Sequence, residues 1–209
     1  MDRPEHPASH GRPNPAAWVR RWSPLVLPGA RVLDVACGSG RHVHWFAQLG
    51  CRVTGVDRDA AAIRPLSDIA ELVVADIETE PWPFGDRRFD AVVVTNYLWR
   101  GLLPTLVACV GDGGVLIYET FAAGNETIGR PANPACLLRP GELLAVAADL
   151  RIVAFEDGFE AATKDSPARF VQRIVAVREL RAAPGPVRYP LRMERPAGQV
   201  KSADSQEPA

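Results

Sequence analysis

Lysine is nearly missing from this 209-residue chain: of 24 basic residues only Lys164 and Lys201 are lysines, and the rest are arginines. With 25 acidic residues the net charge is −1, so no broad positive field exists to grip nucleic acid. Cysteine is scarce as well. Cys37, Cys51, Cys109 and Cys136 form no Cys-x-x-Cys pair and no zinc spacing, which argues against a zinc module or a disulfide scaffold. They read as free thiols of a reducing cytosol. Of the four histidines, His6 and His10 lie in the N-terminal stretch, and His42 and His44 are two apart and cannot share a helix face. No metal site is expected. No apolar run reaches the roughly 18 residues of a membrane span. The N-terminus carries Asp, Pro and His instead of an apolar signal core. A cytoplasmic location and no membrane partner follow as expectations.

What remains is an ordinary globular composition, 47% apolar, enough for one full core. Residues 1–14 are polar and proline-rich and read as a disordered tail; residues 184–209 read as a flexible one. Between them, 15–183 form a single domain. Pro15 to Trp22 reads as a short helix, with Trp18 and Trp22 four apart on one face. Strands are then expected at 31–36, 52–56, 71–75, 89–95 and 114–120, with helices at 41–49, 59–66 and 98–110 between them. A helix at 141–150 and two paired strands at 151–157 and 169–179 close the domain. Val32–Val35 and Ala91–Val94 are continuous apolar runs, as strands buried on both faces require. Alternation of this kind predicts a doubly wound α/β fold with a parallel sheet.

The chemistry begins at Val32-Leu33-Asp34-Val35-Ala36-Cys37-Gly38-Ser39-Gly40-Arg41-His42. An apolar strand runs into a Gly-x-Gly turn that opens a helix, the geometry that holds a nucleotide-like cofactor at a sheet edge. A dinucleotide fingerprint would place a third glycine where this chain has Val43. Asp57 ends the next strand, seventeen positions after Gly40. A carboxylate at about that distance accepts from ribose hydroxyls; capping the following helix is the alternative, although Asp59 suits that task as well or better. Asp76 ends the run Leu72–Ala75.

These residues resemble the class I S-adenosylmethionine-dependent methyltransferases, whose first motif reads hydrophobic-Leu-Asp-hydrophobic-x-Cys/Gly-Gly-x-Gly. The resemblance covers about residues 16–180. It implies S-adenosyl-L-methionine as cofactor and a Rossmann-like, seven-stranded, mostly parallel sheet with a reversed last strand. It also implies a lead-in helix that partly covers the cofactor cleft. Asp34 would order the glycine turn and hold the methionyl end, Asp76 would accept from the adenine amino group, and the Ile77 amide would meet the ring. The expected cofactor-binding set is Asp34, Ala36, Gly38, Gly40, Asp57, Arg58, Asp76, Ile77 and Thr95. A finer resemblance, carried by Gly124-Asn125-Glu126, Arg130–Pro134 and Leu137–Leu144, is to bacterial tellurite-resistance-type and thiopurine-type small-molecule methyltransferases.

Acceptor residues are expected after the fourth and fifth strands: Asn96, Tyr97, Glu119, Glu126 and Arg139. Packing is the alternative for Tyr97 and Trp99. Asn96 is not followed by the Pro-Pro-aromatic turn of amino-directed nucleic-acid methylases, and no cysteine follows a proline as base C5-methylation requires. The stretch 121–140 is long for a compact domain and reads as a substrate lid, a structural cap being the alternative. Tyr118 and Glu119 are candidate bases, with none assigned. A small-molecule acceptor leads. An RNA or protein acceptor is the alternative, suggested by Arg169, Arg173, Arg178, Arg181, Arg188, Arg192 and Arg195. A non-catalytic cofactor-binding protein and a dehydrogenase come after these.

Overall fold

The computed structural model of the chain describes residues 14–164, 166–180 and 187–191. Most of both expected tails, with His6, His10, Arg181, Arg192 and Arg195, lies outside the described residues.

Seven strands form one sheet in the order β3-β2-β1-β4-β5-β7-β6. They are β1 (Arg31–Val35), β2 (Arg52–Asp57), β3 (Glu71–Val74), β4 (Phe89–Thr95), β5 (Val110–Phe121), β6 (Arg151–Glu160) and β7 (Arg169–Val177). The pairs β1–β2, β1–β4, β2–β3 and β4–β5 are parallel, while β7 runs antiparallel to both β5 and β6. The chain order reverses between the neighbouring strands β1 and β4. A crevice at such a switch point, beyond the carboxyl ends of the strands, is where open α/β sheets bind ligands.

The sheet is covered on both faces, which explains the continuous apolar runs. One face packs Leu33, Val35, Val92, Val94, Leu116 and Tyr118 against α4 (Leu103–Ala108) and α5 (Glu142–Val146). The other packs Val32, Val53, Ala91, Val93 and Ile117 against α1 (Ala17–Trp22), α2 (Arg41–Gln48) and α3 (Ala60–Ile63). Trp18 and Trp22 are both buried, with their rings edge-on at 5.7 Å. Fully burying a large apolar side chain stabilises the fold by roughly 1.5–3 kcal/mol, so α1 is held by its tryptophans although it has no side-chain cap.

The expected helix 98–110 is shorter than the sequence suggests. A 3-10 turn, Arg100–Leu102, leads into α4, which ends at Ala108, and β5 already begins at Val110. Glycines explain the early strand. A Cβ at Gly114 would lie 2.8 Å from the Gly111 carbonyl and 2.9 Å from that of Phe89, so only glycine lets the chain fold tightly into β5 there. The closing hairpin has the expected pairing, with β6 extended to Glu160. No helix among the described residues is long and apolar enough to cross a membrane.

Candidate functional site

The turn after β1 bends through positive φ at Ala36 (52°), Gly38 (50°) and Gly40 (77°). Gly40 caps α2, so the first helical N–H groups point back toward the turn. Asp57 braces this loop. Its Oδ2 accepts from the Gly38 N–H at 2.8 Å and its Oδ1 from the Asp59 N–H at 2.9 Å. Helix capping falls to Asp59, which accepts from the Ala61 and Ala62 N–H groups. Asp57 therefore stays with the loop, and a carboxylate has acceptor sites beyond the two in use.

Asp34, near the carboxyl end of β1, is 1% exposed, and its Oδ2 has no hydrogen-bond partner. Burial raises its pKa to about 7; Arg41 and a hydrogen bond from the Val43 backbone oppose that rise. A carboxylate this dry needs a cation. Arg41 does not close on it as an ion pair; its Nη2 donates to Thr95 Oγ1 at 3.3 Å, at the end of β4. His42 Nδ1 stands 3.8 Å from Asp34 Oδ1, and His42 Nε2 accepts from the Ala16 N–H at 3.1 Å. Burial, reinforced by Arg41, drops the His42 pKa to about 3, so the imidazole is neutral.

Beside the loop lies a cavity of about 170 Å³ lined by Ala36, Asp57, Arg58, Ala75, Asp76, Ile77, Glu78 and Tyr97. Six of its walls are residues expected at a cofactor or acceptor site: Ala36, Asp57, Arg58, Asp76, Ile77 and Tyr97. Asp76 is partly committed, since its Oδ1 accepts from the Glu78 N–H at 3.1 Å. Tyr97, expected on the acceptor side, lines this cavity instead. Its hydroxyl is buried near Glu78 but makes no hydrogen bond of good geometry, and burial together with Glu78 and Asp76 pushes its pKa up. Asn96, next to it, is exposed and left-handed at φ 54°, and its N–H donates to the Glu119 carbonyl. Such a backbone is sparsely populated by non-glycine residues and clusters at functional sites.

A second cavity, of about 440 Å³, lies under the stretch 121–140. It is lined by Arg100, Ala123, Glu126, Pro134, Ala135, Leu137, Leu138, Arg139 and Pro140. Glu126 and Arg139 thus share one cavity. Glu126 Oε2 also accepts from the Gly124 N–H at 2.8 Å. The stretch is folded, not loose. Arg100 donates to the Ala135 and Leu137 carbonyls, both at 2.7 Å, and pairs with Glu142, whose Oε2 accepts from the Arg139 N–H. Buried Asn125 ties Pro131 to Phe170. Arg100 and Asn125 organise the loop, and nothing in their local sequence announces it.

Neither candidate base is free. The Tyr118 hydroxyl donates to the Tyr97 carbonyl at 2.8 Å. Glu119 is 1% exposed, with Oε1 held by Arg169 at 3.4 Å and Oε2 by Arg173 at 3.0 Å. These arginines also pair with Glu160 and Glu156, and Arg178 donates to the Val107 and Val110 carbonyls. The arginine bias of this region is largely internal wiring.

Residues 32–114 match a family model described as a methyltransferase domain. Among curated proteins, the chain is 30% identical over 112 residues to a tRNA U34 carboxymethyltransferase of Methylococcus capsulatus, covering 48% of this chain and 35% of that one. It is 34% identical over 106 residues to a ubiquinone biosynthesis O-methyltransferase of Alkalilimnicola ehrlichii, covering 46% and 43%. The match spans less than half the length of these curated relatives. Among solved structures, TehB from Haemophilus influenzae superposes with a TM-score of 0.59 at 19% identity, over 74% of this chain and 59% of that one.

Proposed function

We propose that the chain is a class I S-adenosylmethionine-dependent methyltransferase that methylates a small-molecule acceptor by direct in-line transfer, a reading supported by the methyltransferase-domain match over residues 32–114. Besides the indole N–H groups of Trp22, Trp45 and Trp82, two oxygens are buried without a partner, and they carry this reading: Asp34 Oδ2 on β1 and the Tyr97 hydroxyl at the cavity wall. A folded chain rarely leaves such groups unpaired, because each costs about 1–3 kcal/mol. Both fit S-adenosylmethionine. Asp34 suits the cationic methionyl ammonium, and Arg41 and Thr95 at the same sheet edge suit the methionyl carboxylate. Asp57 is placed to accept from ribose. Asp76, Ile77 and Tyr97 wall the adenine-sized cavity.

When bound, the cofactor supplies an electrophilic methyl on a sulfonium that is already a good leaving group. The protein's share is then orientation, and well-aligned reactants gain up to about 7–11 kcal/mol that way. No general base is assigned, since Tyr118 and Glu119 are both engaged. An acceptor that reacts as an anion, such as a thiolate or an oxyanion, needs none.

The small-molecule reading is supported by the second cavity, which is walled by the pinned loop and lined by both an acid and arginines. The relatives act, by their names, on acceptors as different as a tRNA and a ubiquinone precursor. An RNA acceptor draws less support from the arginines Arg169, Arg173 and Arg178, which are spent on Glu119, Glu156, Glu160 and backbone carbonyls. A cytoplasmic location belongs to the same proposal, in keeping with four free cysteines, three of them buried. The test is methyl-labelled S-adenosylmethionine incubated with the protein and a bacterial extract. Label in soluble or volatile small products is the expected outcome. Label in precipitated RNA or protein would overturn the small-molecule reading.

A further inference from the structure

The cavity under the stretch 121–140 has two arginines in its wall, Arg100 and Arg139, and the fold uses them unequally. Arg100 is spent. Its guanidinium donates to the Ala135 and Leu137 carbonyls and pairs with Glu142 at 2.8 Å. Arg139 is used only through its backbone. Its N–H donates to Glu142 Oε2 at 2.8 Å, and its C=O accepts from Gln172 Nε2 at 3.0 Å. Gln172 is fully buried on β7; its Oε1 accepts from the Leu143 N–H at 2.6 Å, and its Nε2 also donates to Asp157 Oδ2 at 2.8 Å. Arg139 is thus held from both sides, on one of them from within the core. Its guanidinium makes no hydrogen bond and no ion pair among the described residues. The acids at this wall are Glu142, already paired with Arg100, and Glu126, whose Oε2 accepts from the Gly124 N–H.

We propose that Arg139 is the residue that holds the acceptor in this cavity, and that the acceptor is a small carboxylate with an apolar body. This rests on the reading of the cavity as the acceptor site of a methyltransferase. A guanidinium presents two parallel N–H donors that match the two oxygens of a carboxylate. Beside it the wall is formed by Ala123, Pro134, Leu137, Leu138 and Pro140, whose side chains suit an apolar body and compete for no hydrogen bond. Glu126 sets the limit on charge. A phosphate dianion or a phosphodiester chain would set further negative charge against it, while a single carboxylate drawn to Arg139 does not. The fixed backbone serves the same end. A side chain carried on a pinned residue has less freedom to lose when the ligand arrives. A buried amide is well spent there, because a satisfied buried polar group fixes one shape.

The test is a ligand-observed NMR titration of the full chain with phenylacetate and hexanoate, each beside its primary amide. Wild type is compared with Arg139→Gln, Arg139→Lys and Arg52→Gln, the last an exposed arginine at the start of β2. The Arg139 side chain is exposed and holds nothing in place, so its variants keep the fold, with Tm as the check. A bidentate, charge-assisted pair predicts that at least one acid binds wild type about tenfold more tightly than its amide. Arg139→Gln should erase that preference and Arg139→Lys should keep part of it, since lysine retains the charge without the fork. Arg52→Gln removes the same charge elsewhere and should leave the preference intact. Equal binding of acid and amide, no binding of either acid, or an equal loss in Arg52→Gln would overturn the inference. So would a preference for the acid that survives in folded Arg139→Gln. Failure of the reading beneath it appears in a different measurement: methyl label from S-adenosylmethionine then enters RNA or protein, or nothing, whatever the acids do.

Discussion

The two halves of the sheet treat buried polar groups in opposite ways. In the half formed by β1 to β4, Asp34 and Tyr97 each leave a buried oxygen with no partner. In the half formed by β5 to β7, polar groups of the same burial are paired with one another. Glu119 is held by Arg169 and Arg173, and Gln172 by Leu143, Arg139 and Asp157. The stretch 121–140 is tied by Arg100, Asn125 and Glu142. Satisfied groups hold a shape, while a buried carboxylate oxygen or hydroxyl left unpaired is a candidate for a ligand or an ordered water. On the proposed function, the contrast separates residues that build the site from residues that would bind in it.

The largest effect should come from breaking the saturated half. Arg173→Met leaves Glu119 buried with one longer contact to Arg169, and removing a partner from a buried pair costs about 3–5 kcal/mol. Some of that is recovered because Glu156 and Glu160 reach water. Denaturant unfolding should show a loss near 3 kcal/mol or somewhat less, with S-adenosylmethionine affinity of the folded protein unchanged. A parallel loss of affinity would dissolve the division between the halves.

Asp34→Asn should act in the opposite sense on stability and binding. A hydrogen bond to a charged group is worth about 1.5–3 kcal/mol, so affinity should fall by roughly ten- to a hundredfold. The Asp34 pKa is raised to about 7. The folded chain therefore keeps a proton that the unfolded chain has lost once pH passes its usual value of 3.8. Stability from this group is greatest at low pH and declines as pH rises toward 7. The asparagine variant, which carries no such penalty, should be more stable than wild type above pH 7. Cofactor binding at pH 6 should release most of a proton from wild type and none from Asp34→Asn, measured by calorimetry in buffers of different ionisation heat.

Arg100→Ala sharpens the comparison at the loop. Removing the guanidinium frees the Ala135 and Leu137 carbonyls and leaves Glu142 without its cation. Stability should fall by about 1–2 kcal/mol, the scale of one lost charged hydrogen bond at a part-exposed site. If the loop serves the acceptor, turnover falls severalfold more than cofactor affinity does. An equal loss of both would make the loop a plain structural cap.

The placement of the residues around the glycine turn was far more legible than the pairings of the saturated half. Asp34, Gly38, Gly40, Asp57, Asp76 and Ile77 lie within one stretch, and the turn and strand ends that place them have local signatures. Glu119 and Arg173 lie 54 positions apart, and Arg100 and Glu142 lie 42 apart. Pairings at that distance come from strand order and loop packing, which periodicity does not encode. Arg41 was missed in a different way. A cation in the first turn of a helix opposes the helix dipole. Arg41 directly after Gly-x-Gly was thus a signal that an anionic partner is near, although the sequence does not say which.

The smallest effect is also the cleanest separation of binding from building. Tyr97→Phe removes only the hydroxyl that lies buried and unpaired at the cavity wall. A residue that held the fold would lose stability on this change. An unsatisfied buried donor instead costs the apo protein about 1–3 kcal/mol, of which removal recovers a part. Thermal unfolding without ligand should therefore show a slightly higher Tm. With the cofactor present the sign reverses, because a net hydrogen bond of about 0.5–1.5 kcal/mol is lost, and affinity should fall by roughly two- to tenfold. Adenosine competition tells where the loss arises. If Tyr97 faces the nucleoside, adenosine affinity falls by the same factor as that of S-adenosylmethionine. If adenosine binds the variant as well as wild type, the hydroxyl serves the acceptor, and the two halves of the site meet at this residue.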